Sequence, residues 1–504
     1  MKTNRKTLLS IALSTLLTFS GYAQIGDLPR STPEKEGIPS ASITTLIDSL
    51  MQLPKTDIHS LLITRNGKVI TDFHPAPFHS TYRHTLYSCS KTFTSAAVGI
   101  AVQENLIRIQ DRVAIFFPDK LPYPVSDNLA SITIEDLLTM QAGITPDWDF
   151  KDKFYHLVEA FLHKDVPLTP GTKFQYDSLC TYLLSAIVQE VTGKSMFDYL
   201  KEKLFAPMHI TDVYWEKTPE GVTAGGWGLH IQSESMAKFG NLLLNKGVWN
   251  GKQLIDKQWV EEMMRCHVDL GGDNYCYQMW TCHQYPDAVR ADGAFGQYII
   301  IVPDYQLVVV VTEASLIDGI HQRNLIFNHL LSKAQNSAIP EDHTKKFTKT
   351  LAKYTLPYAD GRKKSGLISS VEGKEISLDE NQLGWKSVRF TFEPKKVIAH
   401  ITNQLDEKFV IPFGYKEWTT ELTKVFPPKF MNVQDQENGL MKEFMVSGSY
   451  GWTAPSVLHL KAHWVNWITG LDMYVHFNGN EIELTAASNC DFEGTIRIPG
   501  KLNK

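Results

Sequence analysis

Two β-rich blocks stand at opposite ends of a long, mostly helical stretch, and this order limits the fold more than any other feature of the chain. The first block spans residues 59–70, where Asn66-Gly67 separates two β-rich runs. That dipeptide is the strongest short-range signal for a hairpin. Residues 42–53 ahead of it read as an amphipathic helix. Helical patterning then dominates from about 88 to 270, most clearly over 133–140, 181–191 and 197–204. The second block has two strand-like runs, 296–302 and 306–311, joined by a Pro303-Asp304-Tyr305 turn. Residues 316–335 read as a closing helix. A sheet drawn from both ends of a unit, with helices inserted between, predicts an α+β antiparallel fold rather than alternating βαβ units.

At 504 residues the chain exceeds one ordinary core. Composition shifts near 336–365, where Pro340, several lysines and Gly361 mark a linker with one short helix. Beyond it lie short alternating runs at 388–392, 397–401, 458–464, 473–477 and 482–485, with a second hairpin signal at Asn478-Gly479. This pattern predicts a small antiparallel β barrel or sandwich over 366–504. Trp464 and Trp467 are expected to fill it.

Residues 1–23 read as a secretory leader. Lys2, Arg5 and Lys6 precede a short apolar run from Leu8 to Phe19, and Gly21-Tyr22-Ala23 suits cleavage before Gln24. No other long uncharged apolar stretch follows, so no membrane span is expected after cleavage. The formal net charge is −5 and no Lys/Arg run occurs, which argues against a nucleic-acid partner. The six cysteines show no metal-type spacing. Cys276 and Cys282 fall in a strand-like run that holds them too far apart to pair unless the chain turns.

The segment Tyr87-Ser88-Cys89-Ser90-Lys91 carries the chemistry. On a helix, three residues make nearly one turn, so the Lys91 amine lies beside the Ser88 hydroxyl. A serine hydroxyl is a weak nucleophile near neutral pH and needs a base. A buried, neutral lysine supplies one, the S-x-x-K arrangement. A second match, Ser235 to Lys238, sits in an amphipathic helix pattern, where its lysine reads as solvated. Cys89 reads as a small buried side chain. No G-x-S-x-G elbow and no H-E-x-x-H spacing appears. Trp148, Trp227, Trp280 and Tyr298 fit a cleft wall or a core equally well.

Read with Tyr176-Asp177-Ser178 and Ala291-Asp292-Gly293-Ala294, the chain resembles the β-lactamase-related serine hydrolases. This family includes class C β-lactamases, D-Ala-D-Ala carboxypeptidases, related esterases and 6-aminohexanoate-dimer hydrolases. The resemblance runs from about 30 to 335 and includes residues 132–144, 239–252 and 302–310. It implies a transpeptidase-like fold for a hydrolase domain at 24–335, for which no cofactor or metal is expected; the leader places it in the periplasm or outside the cell. It also implies Ser88 as nucleophile, Lys91 as base and Tyr176 as proton relay. Ser178 stands where the family's Tyr-x-Asn motif has Asn, and Ala291-Asp292-Gly293 where it has Lys/His-Thr-Gly. Ser178, Asp292 and Gly293 are the expected substrate contacts. Gly293 permits close backbone approach, and the N–H groups of Ser88 and Ala294 form the expected oxyanion hole. With Ala291 in place of a cation, the resemblance implies hydrolysis of an ester or amide on a neutral acyl group. The alternatives are a β-lactamase or D-Ala-D-Ala carboxypeptidase, and a catalytically idle member that binds peptidoglycan or protein.

Overall fold

In the computed structural model, which describes residues 27–146, 156–423, 427, 444–490 and 494–503, Asn66 and Gly67 hold φ of 52° and 72°. Positive φ at both positions is what a two-residue hairpin turn requires. The turn joins strands Thr56–Arg65 and Lys68–Phe73. Strand Thr56–Arg65 also pairs antiparallel with Leu307–Ser315, so the two ends of the unit meet in one sheet. Gln297–Val302, Val289–Gly293 and the short Trp280–Thr281 complete six antiparallel strands. This is the α+β, transpeptidase-like arrangement. The leader-type segment at 1–23 and Trp148 lie outside the described residues.

The apolar runs of the central strands are buried on both faces. Ile299, Ile301, Val308 and Val310 pack with Phe93, Ala97 and Phe239, from helices Ser90–Gln103 and Ser233–Leu244. Their neighbours Ile300, Val302, Val309 and Val311 pack with Ile43, Leu46 and Ile326, from helices Ser40–Met51 and Ile320–Leu330. Strand alternation sorts the two sets, and helices cover both. Helix Ser178–Thr192 begins where the Asp177 carboxylate accepts the Leu179 N–H at 2.8 Å and ends at left-handed Gly193. It packs across helix Ser90–Gln103.

Two local expectations need correction. Residues 276–282 are not one continuous strand: Gln278 takes φ 62°, and the Cys276 N–H bonds to the Met279 carbonyl at 2.8 Å, closing a turn ahead of the short strand Trp280–Thr281. Both cysteines remain free thiols. Lys238 of the second S-x-x-K match is not solvated; it is 4% exposed, its stem buried and its amine donating to the His209 carbonyl. Lysine stems bury readily when the head finds an acceptor.

Beyond a helix at Thr344–Leu351, ten strands among the described residues between Glu375 and Leu502 form one sheet. The sheet closes because Lys408–Tyr415 pairs in parallel with Phe444–Ala454. The second unit is therefore a barrel rather than a sandwich. Phe390, Trp452, Leu460 and Trp464 belong to its core, and Trp464 and Trp467 are each 2% exposed. Among the described residues no helix is long and apolar enough to cross a membrane.

Candidate active site

Ser88 sits in a single 3-10 turn, Tyr87–Cys89, that runs directly into helix Ser90–Gln103. One turn later, Lys91 Nζ lies 3.0 Å from Ser88 Oγ. Lys91 also donates to the Gly226 carbonyl at 2.7 Å and meets Ser178 Oγ at 3.0 Å. Ser88 is half-buried, whereas Lys91 is 2% exposed. Burial lowers the Lys91 pKa to about 7, against a smaller opposing pull from the Asp177 carboxylate. A neutral amine keeps two N–H donors and one lone pair. With the donors on the Gly226 carbonyl and Ser178 Oγ, the lone pair faces the Ser88 hydroxyl.

The Tyr176 phenol hydrogen-bonds with Ser88, and its ring centroid lies 5.0 Å from Lys91 Nζ. Burial, with a smaller contribution from the Asp292 charge, raises its pKa and keeps the hydroxyl protonated. The ring packs beside Trp280, with centroids 5.8 Å apart, and edge-on to Tyr275. Serine, amine and phenol thus form one connected group.

Strand Val289–Gly293 ends against the Ser88 turn. A Cβ on Gly293 would fall 2.3 Å from the Leu86 carbonyl oxygen and 3.2 Å from the Cys89 nitrogen. Only glycine fits so close an approach. Ala294 follows at once, in a tight turn closed by the Gly293–Gln297 pairing, and its carbonyl accepts from Gln297 Nε2 at 3.1 Å. Ala291 shares the Ile299 side of the sheet, with the Ser88 helix.

The structure engages the expected substrate contact Asp292 with Arg290. Arg290 and Asp292 alternate with Ala291 and Gly293, on the opposite face of the strand. The Arg290 guanidinium binds Asp292 and Asp273, each at 2.8 Å. Asp273 in turn holds Arg323 at 3.0 Å. Asp292 therefore completes a charge network, and Arg290 has no charge to spare for a ligand. Ser178 contacts Lys91 rather than standing alone at the site wall, since the shorter side chain reaches the amine from the first turn of its helix.

Cys89 is fully buried, its thiol donating to the Gln297 carbonyl and its pKa pushed well up by burial, so it is no rival nucleophile. Two groups escaped the sequence reading. The Gly226 carbonyl is a direct partner of Lys91, and the Gly225-Gly226 pair was the available signal. Gln278 braces the helices around the site: its Oε1 accepts from Thr181 at 2.6 Å, and its Nε2 donates to Leu138 O at 2.9 Å. Among the described residues no cluster suited to a metal ion occurs.

The Beta-lactamase family model matches residues 43–316. The 6-aminohexanoate-dimer hydrolase of Paenarthrobacter ureafaciens is 25% identical over 333 residues, 57% of this chain and 83% of that protein. Protein flp of Staphylococcus aureus (strain NCTC 8325 / PS 47) is 26% identical over 192 residues, covering 35% of this chain and only 38% of its own length. Among solved structures, a putative 6-aminohexanoate-dimer hydrolase from Bacillus anthracis superposes with a TM-score of 0.50 at 20% identity, over 60% of this chain and 85% of that one. The matched segment takes in Ser88, Lys91, Tyr176 and the strand ending at Gly293 and fills more than half of the sequence, so the chain belongs to the Beta-lactamase family.

Proposed function

We propose that the protein is an exported serine hydrolase that opens an ester or amide bond of a small, neutral acyl compound through an acyl-enzyme on Ser88. The observation that carries this reading is the buried Lys91 amine, 3.0 Å from Ser88 Oγ and with its pKa lowered to about 7. Ser88 Oγ adds to the carbonyl carbon as its proton passes to Lys91. The N–H groups of Ser88 and Ala294 hold the oxyanion; losing one such donor costs on the order of 3 kcal/mol in the transition state. Collapse breaks the C–O or C–N bond as Tyr176 hands a proton to the leaving group. Water gives a proton to the Tyr176 phenolate as its oxygen adds to the acyl carbon; collapse breaks the acyl C–Oγ bond, releases the acid, and Ser88 Oγ recovers its proton from Lys91. Ala291, together with an Arg290 already bound to two carboxylates, favours an acyl group without a carboxylate. The relative from Paenarthrobacter ureafaciens, named for hydrolysis of a small molecule, supports the same reaction class.

A fluorophosphonate probe is expected to label Ser88 in the wild type and not in Ser88→Ala, with turnover of short-chain esters or amides lost in the variant. Turnover retained by Ser88→Ala overturns the assignment. Stable acylation by a fluorescent penicillin would instead indicate the β-lactamase or carboxypeptidase reading, and absence of labelling an idle, binding member. The leader at 1–23 supports export, for which the expected first residue of the exported protein is Gln24.

A further inference from the structure

Two residues flank the paired N–H groups, and both are held in a backbone conformation that side chains disfavour. Tyr87, just before Ser88, has φ 45°; Phe295, just after Ala294, has φ 64°. Neither is glycine, and such conformations persist only where the surroundings impose them. The two rings touch edge to face, with centroids 5.4 Å apart. Both are buried, and both belong to the barrel's hydrophobic cluster, together with Trp467, Ile468 and Cys490. The sulfur of Cys490 lies close enough to act electrostatically on the Tyr87 phenol.

A second contact reaches the same turn from the side. Trp467 of the barrel stacks on His230, with centroids 4.9 Å apart and planes 24° from parallel. His230 is held by Glu216 at 3.1 Å, and its strand, Leu229–Ile231, pairs with His84–Thr85. The Leu86 N–H bonds to the Leu229 carbonyl at 2.9 Å. From Leu86 the chain enters the Ser88 turn directly. On the other side, the Phe295 carbonyl accepts from the Ser315 N–H at 3.1 Å, at the end of the central strand.

We propose that the barrel is a positioning element for the catalytic turn, with Trp467 as a positioning residue that acts through His230 and through the cluster holding Tyr87 and Phe295. This rests on the acyl-enzyme reading. The barrel touches no reacting atom. It fixes the direction of two backbone N–H groups, and alignment within about half an ångström decides what such donors contribute. The Lys91 amine bonds to Ser88, Ser178 and Gly226, none of which belongs to the barrel.

The test uses the full chain and a neutral ester, with rates expressed per site titrated by a fluorophosphonate. Trp467→Ala is expected to lower kcat about tenfold or more, leave KM within about twofold and leave the pH–rate midpoint unmoved, with Trp467→Phe restoring most of the rate. If Trp467→Ala does not fold, Phe295→Leu is expected to show the same pattern. A smaller titratable fraction with a wild-type rate per site, or an effect confined to KM, overturns the proposal, since a merely structural contact would behave in that way. Ser88→Ala is run alongside. Turnover retained there removes the acyl-enzyme reading itself, whereas wild-type rates in the barrel and Phe295 variants remove only the positioning role.

Discussion

In the proposed mechanism Lys91 accepts the Ser88 proton only while its own amine is uncharged, and burial makes that form available near neutrality by lowering its pKa to about 7. Below that pH the amine is protonated and the group idle; above it the lone pair is free. The expected outcome is kcat/KM on a neutral ester rising with pH through about 7. Arginine stays charged across this range, so Lys91→Arg is expected to lose the rising limb and about a thousandfold of the rate. Initial rates from about pH 5.5 to 9 check both, and a flat wild-type profile would remove Lys91 as the base. This pair was legible in the sequence because spacing along one helical turn is local information. The partners of the amine were not. Ser178 Oγ and the Gly226 carbonyl arrive from 87 and 135 residues away, and no local pattern announces them. The ion pair of Asp292 with Arg290 was likewise not announced, because a motif position fixes where a residue sits in the chain, while pleat alternation decides which face its side chain serves.

At the scale of elements, Gln278 shows how a turn can hold helices together. Its side chain bonds to the carbonyls of Leu137 and Leu138, at 3.1 and 2.9 Å, and to the Thr181 hydroxyl at 2.6 Å. Its own carbonyl accepts from Thr92 Oγ1 at 2.9 Å. Both carbonyls lie at the end of helix Ile134–Leu138; the Leu137 carbonyl also accepts from the Met140 N–H at 3.3 Å, so the Leu138 carbonyl depends more on Gln278. Gln278→Leu keeps much of the volume and removes the partner of the buried Leu138 carbonyl and of the Thr181 hydroxyl. The expected cost is about 2–4 kcal/mol of unfolding free energy in urea. A loss under about 0.5 kcal/mol would mean that water satisfies the carbonyls instead. Elements with local signals were readable in advance: Asn66-Gly67 for the hairpin, and the apolar periodicity of 181–191 for a buried helix that begins three residues earlier, at Ser178. The turn at 276–279 was not, because its apolar composition matches a strand and Gln278 takes positive φ to meet partners far along the chain.

For the whole molecule, the junction of the two units contains a chain of buried imidazoles. His84 Nδ1 meets the Thr85 carbonyl at 2.8 Å, and a carbonyl only accepts, so the proton is on Nδ1 and His84 Nε2 accepts from His59 Nδ1–H, also at 2.8 Å. His59 stacks on Phe78 at 3.8 Å, and Phe78 meets His463 of the barrel edge-on at 6.0 Å. Burial lowers the pKa of His59, His84, His230 and His463, taking His84 to about 4. In the unfolded chain each ring takes a proton near 6.5. Between that value and the lower folded values, the unfolded state binds more protons. The contribution of these neutral rings is therefore fully present above about 6.5 and is lost as pH falls toward about 4. Tm is expected to drop from pH 7.5 to 5, by more than the carboxylates alone would cause. His59→Phe keeps a ring on Phe78 and deletes one titrating group, so the slope of stability against pH should shrink by up to about 1.4 kcal/mol per pH unit. Urea unfolding of both proteins across that range measures the two slopes. Equal slopes would mean that His59 takes up its proton in the folded protein as readily as in the unfolded chain.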